Sequence, residues 1–307
     1  MKTTKNLHWF SPIFNNEEKK SVNSAINRNF LNEGEITKEF EKKISDFLNV
    51  KYAIATTSGT TAISLSLMSL GIGKGDEVII PNFTFVATAN AVILTGATVK
   101  LVDVKLDDLT IDVERIEKEI SRKTKAIVTV DVNGRSCDYN VIKKICRKFN
   151  LKLVCDSAEA LGSRINGKYL GTQGDCGCFS FSAAKTLSTG QGGMIVTNNK
   201  KIKNRILELK DQGRKKRGTG GKDSHPALGF NFKYTDLQAS VGIKQLEKIE
   251  IRIKNFKKRD YLYRKFLGKT NLCLPELNPN EVLQWFDIIF ENENQKKSVI
   301  YEFKKKK

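Results

Sequence analysis

Histidine, tryptophan and proline are scarce in these 307 residues (2, 2 and 5), and acidic side chains are outnumbered, 34 Asp plus Glu against 53 Lys plus Arg, for a net charge of +19. The six cysteines (137, 146, 155, 176, 178 and 273) show no paired metal-ligand spacing. Cys176-Gly-Cys178 has neither a second pair nor nearby histidines, so no metal site is expected. Several cysteines sit in apolar stretches as small buried hydrophobes, which suits a reducing cytoplasm. Met1 to Phe14 carries two lysines but no apolar core long enough for a signal peptide. The longest uncharged run, Val78 to Val99, contains a proline, two asparagines and four threonines, which excludes it as a membrane span. The basic excess sets a long-range field compatible with nucleic acid or anionic metabolites. Its lysines are scattered along helices and no nucleic-acid module motif is present, so nucleic acid is not the expected partner. At 39% hydrophobic, the chain can bury one large core, or a large and a small one.

Apolar spacing predicts helices over Asn15 to Phe30, Ile36 to Leu48, Ala62 to Leu70 and Thr235 to Phe266. Strands are expected at Tyr52 to Thr56, Gly75 to Ile80, Thr98 to Val102, Ala126 to Val130, Leu151 to Cys155, Gly177 to Ser182, Met194 to Thr197 and Trp285 to Phe290. This alternation describes an α/β sheet with helices on both faces. Lys210 to Lys222, basic and glycine-rich, reads as a solvated loop.

Two loops invite an anionic ligand. Between the strands at 177–182 and 194–197, a run rich in Ser, Thr and Gly surrounds a single amine, Lys185, which places hydroxyls and close N–H groups beside a nucleophile. At Thr57-Ser-Gly-Thr-Thr61 a strand turns tightly into a helix, bringing unpaired N–H groups and the positive end of a helix dipole to one point. Ser58 would also cap that helix. The strand at 151–155 delivers Asp156 to its C-terminal end, the ligand edge of such sheets. Lys185 follows after a helix-sized piece and a strand. Asp156-x-x-Glu159 doubles as a helix capping box.

Ser180-Phe-Ser-x-x-Lys185-x-x-Ser-x-Gly-x-Gly-Gly193 resembles the cofactor-lysine segment of the DegT/StrS family of nucleotide-sugar aminotransferases, and further matches run in the family's order from about Pro12 to about Leu246. The resemblance implies an α/β, fold type I pyridoxal phosphate enzyme: a large domain with a mostly parallel central sheet over 1–245, then a linking helix and an incomplete small α/β domain over 246–307. Segment 1–30 is expected to pack with the small domain. It implies Lys185 as the lysine that forms the aldimine and later moves the substrate proton, Asp156 opposite the pyridinium nitrogen, and Glu159 near the phenolic oxygen. Gly59, Thr60 and Ser180 would bind the phosphate, Phe85 would stack on the ring, and Asn231 would reach the phosphate of a partner in a homodimer. Lysine at 185, where related dehydratases have histidine, points to transamination. The implied reaction moves an amino group from an amino acid, glutamate, to a keto nucleotide-sugar, for amino-sugar and surface polysaccharide (lipopolysaccharide) biosynthesis in the cytoplasm.

Three positions depart from the family pattern: Asp131 replaces a histidine, Phe230 a tyrosine and Lys233 an arginine. The last change reduces a bidentate anion contact to a point charge. Relatives continue beyond the position of Lys307, so a weak sugar half-reaction and poor solubility are also expected. The competing reading is a truncated, non-catalytic binding or regulatory protein on the same fold.

Overall fold

The computed structural model describes residues 12–215 and 224–305. Residues 216–222 of the expected basic loop therefore lie outside the described residues. The chain opens with α1 (Asn16–Asn27) and α2 (Glu35–Leu48), followed by β1 (Tyr52–Thr56), α3 (Gly59–Ser69), β2 (Glu77–Pro81), α4 (Ala87–Ile93) and β3 (Thr98–Val102). Next come α5 (Val113–Glu119), β4 (Thr124–Val130), α6 (Tyr139–Phe149), β5 (Lys152–Asp156), a small hairpin of β6 (Arg164–Ile165) and β7 (Lys168–Tyr169), β8 (Cys176–Ser180) and β9 (Gly193–Thr197). The chain then runs through α7 (Lys200–Lys210), α8 (Asp236–Leu246), α9 (Ile249–Leu267) and α10 (Glu293–Lys305).

Seven strands form one sheet in the order β1-β9-β8-β5-β4-β2-β3, with β9 antiparallel to both its neighbours and the pairs from β8 to β3 parallel. Strands buried on both faces have no reason to alternate, and β9 (GMIVT) is buried at every position. One core joins α3, α4 and α7 to the sheet; others join α2 and α8, or α5 and α6, to its opposite face. Among the described residues no helix is long and apolar enough to cross a membrane.

Four local expectations change. The helix expected from Thr235 to Phe266 is broken at Glu247 and Lys248. There Gln245 Nε2 and Lys248 Nζ both donate to buried Glu18 of α1, each at 2.7 Å. The same contacts lay α1 against α8. The strand expected at Trp285 to Phe290 is absent apart from one bridge, Cys273 with Ile289. Backbone groups just before it are engaged by side chains, with Arg259 Nη2 on the Gln284 carbonyl at 2.8 Å and Val282 N–H on Ser163 Oγ at 2.8 Å. Lys210 is not solvated: it ends α7, is 1% exposed, and reaches the Ala55 carbonyl at 2.7 Å as well as Glu33 and Glu41. Finally, turns and the β6–β7 hairpin, not a helix, fill the interval between Asp156 and β8, so Asp156 and Glu159 form no capping box.

Candidate active site

The lysine loop leaves β8 at Ser180 and returns into β9 at Gly193. Buried Phe181 and Leu187 anchor it apolarly, and Thr189 N–H closes it on the Phe181 carbonyl at 2.9 Å. The segment from 231 to 239 braces it from outside: Tyr234 hydroxyl pairs with Thr189, and Gln238 Nε2 donates to the Gln191 carbonyl at 2.8 Å. The lysine loop and the 231–239 segment are thus one packed unit. Asp236 has another task. Its carboxylate takes the N–H groups of Gly34 and Thr37 and the Thr37 hydroxyl at 2.7–2.9 Å, capping α2 where Gly34 has no side chain to do so.

The side chain of Lys185 is 15% exposed, and its Nζ donates to Glu159 Oε1 at 2.8 Å. The other Glu159 oxygen accepts the Asn133 N–H at 3.2 Å. Asp156, 6% exposed at the end of β5, accepts Thr88 Oγ1 at 2.7 Å and the Ala158 N–H at 3.2 Å. Burial pushes its pKa up, while the Thr88 hydroxyl, the Ala158 N–H and the Lys185 charge pull it down.

A second group lies at the start of α3. Ser58 does cap the helix, its Oγ accepting the Thr61 N–H at 3.1 Å. That bond leaves the N–H groups of Gly59 and Thr60 directed out of the helix end. Ser180 stands against Gly59, where an added Cβ would come within 3.0 Å of the Ser180 Cβ and 3.4 Å of its hydroxyl oxygen. A side chain at 59 would have to push Ser180 back by a few tenths of an ångström. Because β1 and β9 are paired, Gly193 likewise runs so close to Ser58 that a Cβ would lie 2.2 Å from its carbonyl oxygen.

Phe85 precedes α4 on the same segment as Thr88 and is 74% exposed, so it is not a core residue. Asn231 is exposed, and its Oδ1 accepts Lys233 Nζ at 2.6 Å; the same ammonium pairs with Asp211 at 2.9 Å. Beside Lys185 opens a cleft of about 250 Å³, walled by Arg252, Asn255, Arg259, Gln284 and Trp285. Asp131 is buried with its carboxylate on the Tyr139 and Ser157 hydroxyls.

Thr88, Asn133 and Asp236 carry roles that no local pattern announced. Thr88 lies three residues past a candidate, and the other two act through contacts with residues 26 and about 200 positions away in the chain.

An amine, two carboxylates and a helix-end anion cradle narrowed by Gly59 and Ser180 fit pyridoxal phosphate, which needs an imine-forming lysine, a partner for its ring nitrogen and a phosphate seat. Comparison with known proteins agrees. The chain is 36% identical over 260 residues to GDP-perosamine synthase of Vibrio cholerae, covering 84% of this chain and 70% of that protein. It superposes on the Helicobacter pylori aminotransferase PseC, involved in pseudoaminic acid biosynthesis, with a TM-score of 0.91 at 28% identity, covering 97% and 82% of the two chains. Against the E. coli GDP-4-keto-6-deoxy-D-mannose-3-dehydratase with bound hydrated PLP, the TM-score is 0.90 at 25% identity, with 98% and 83% covered. A profile of the DegT/DnrJ/EryC1/StrS aminotransferase family matches residues 12–307, and the chain belongs to that family of pyridoxal phosphate enzymes.

Proposed function

We propose that this protein transfers an amino group from L-glutamate to a keto sugar carried on a nucleoside diphosphate, in the synthesis of amino sugars for surface polysaccharide. The observation that carries this reading is the convergence of Lys185 Nζ, Glu159 and buried Asp156 in one site. Pyridoxal phosphate, when bound, supplies the electron sink for the carbanion at the amine-bearing carbon. The N–H groups of Gly59 and Thr60 and the Ser180 hydroxyl would hold its phosphate. Asp156 would face the ring nitrogen and keep it protonated, with Thr88 fixing the carboxylate. Phe85 would lie on the ring face and Glu159 beside the phenolic oxygen. Lys185 would bind the cofactor and then, freed, carry the proton between substrate carbon and cofactor.

Arg252 and Arg259 give the cleft beside Lys185 a cationic wall, which suits a diphosphate. GDP is the favoured nucleotide, because a GDP-perosamine synthase is among the relatives. Asn231, exposed, suits a role across a homodimer interface. Among the described residues the cysteines are free and all but Cys273 are buried, as a reducing cytoplasm would have them. The large domain is taken as 1–245 and the second unit as 246–307. The non-catalytic alternative is not favoured, since it leaves the assembled lysine and carboxylates without a purpose.

The test is incubation of the protein with pyridoxal phosphate, L-glutamate and GDP-4-keto-6-deoxy-D-mannose, alongside UDP- and dTDP-linked keto sugars. Mass spectrometry should show an amine replacing a carbonyl, with one 2-oxoglutarate per product. Loss of oxygen without gain of nitrogen would mean dehydration and refute the reading.

A further inference from the structure

Residues 278–287 cross the site as an irregular strap. Gln284 N–H donates to the Asn133 carbonyl at 3.0 Å, and Gln284 Nε2 to the carbonyl of Ala184, next to Lys185, at 3.1 Å. Asp287 then closes on Asn133, whose Nδ2 lies 2.9 and 2.8 Å from its two carboxylate oxygens. One of those oxygens also accepts Arg135 Nη1 at 2.7 Å. Arg135 is 1% exposed, and among the described residues its Nε and Nη2 have no hydrogen-bond partner, so Asp287 supplies the counter-charge of a desolvated guanidinium.

Asn133 adopts a left-handed conformation, φ 54° and ψ 14°. Asparagine tolerates that region but does not require it. Charge-assisted hydrogen bonds from its side chain to Asp287 hold it there, and its N–H meets the Glu159 oxygen not engaged by Lys185. A continuous chain of contacts therefore runs from Arg135 and Asp287 through Asn133 and Glu159 to Lys185, between residues 152 apart at its first link.

We propose that Asp287 is a positioning residue for Lys185: through Asn133 it fixes the Glu159 carboxylate that holds the lysine amine, so docking of the 278–287 strap completes the site. This inference rests on Lys185 being the cofactor lysine. Two variants test it. Asp287→Asn is isosteric and keeps one oxygen for Arg135, but sets an amide NH2 against that of Asn133. Asn133→Gly retains the left-handed backbone and its N–H, leaves Asp287 with Arg135, and removes only the side-chain hold.

In cofactor-free protein, Lys185 should be acetylated by acetic anhydride about threefold or more faster in either variant than in wild type, relative to the other lysines in the same digest, because a loosened carboxylate no longer retains the ammonium. In the holoenzyme the pH midpoint of the visible cofactor band should move down by about half a unit or more, since an anion held beside the phenolic oxygen favours a proton on the lysine nitrogen next to that oxygen. Both effects should vanish when Glu159→Ala is already present, as expected of residues acting in series. Wild-type acetylation and spectra in both variants, even with a lowered melting temperature, would reduce Asp287 to a structural role and overturn the proposal. Effects that persist undiminished beside Glu159→Ala would also overturn it. Failure of the cofactor assignment itself would look different: borohydride would trap no cofactor on Lys185 in wild type, whereas acetylation would still report the clamp.

Discussion

Asp131→Asn should remove a pH-dependent liability from the core. Asp131 is 1% exposed, and burial pushes its pKa from the ordinary 3.8 up to about 7, assisted by the nearby Asp156 charge and opposed by hydrogen bonds from Ser157 and Tyr139. Cys137, Cys155 and Tyr139 face the same carboxyl and are themselves pushed up, so none of them supplies a compensating charge. A carboxyl with a raised pKa keeps its proton in the folded chain after the unfolded chain has lost it. Its contribution is fully present below pH 3.8 and is lost as pH rises to about 7. At about 1.4 kcal/mol per pH unit, this one group costs about 4 kcal/mol over that range. The asparagine should be tolerated: its oxygen accepts from one hydroxyl and its NH2 donates to the other, because hydroxyls serve in both senses. Glu41 is also raised by burial, but it does not act on Asp131, so its effect cancels when variant and wild type are compared; Asp156, also raised by burial, is relieved of a like charge in the variant, which adds to the difference in the same direction. Urea unfolding of the cofactor-free proteins at pH 5 and pH 7.5 should therefore show wild type losing about 3 kcal/mol more than Asp131→Asn. Equal losses within about 0.5 kcal/mol, or a larger loss in the variant, would refute the reasoning.

Asp236→Ala removes the cap of α2 and strands two N–H groups and a hydroxyl, so it should cost about 2–4 kcal/mol in urea unfolding; a cost under about 1 kcal/mol would mean that the cap is dispensable. Gly59→Val forces side-chain atoms onto Ser180 and should weaken pyridoxal phosphate binding about tenfold or more while the circular dichroism stays native. Unchanged affinity would move the phosphate seat elsewhere. Asp156→Asn should keep most of the bound cofactor yet slow transamination about a hundredfold or more, because a neutral amide does not hold the ring nitrogen protonated. Comparable rates would leave Asp156 a structural role only.

The sheet was legible because its strands are short apolar runs bounded by glycine, proline or a carboxylate, and the residues matched to the cofactor lie at strand ends or loops that such runs expose. Trp285 to Phe290 misled for the same reason. It is apolar enough for a strand, but its neighbours' backbone groups are claimed by Arg259 and Ser163. Lys210 sits in a basic stretch, and nothing local reveals that Glu33 and Glu41, far earlier in the chain, neutralise it in the core. Thr88, Asn133 and Asp287 act through partners 68, 26 and 154 positions away, a range over which neither periodicity nor capping rules reach.

Borohydride reduction of protein loaded with pyridoxal phosphate, followed by proteolysis and mass spectrometry, puts the central assignment to its most direct test. The pyridoxyl group should be found on the peptide containing Lys185, and Lys185→Ala, folded by circular dichroism, should trap none. Trapping on a different lysine, or a Lys185→Ala protein that keeps the visible band and turns over substrate, would contradict the account.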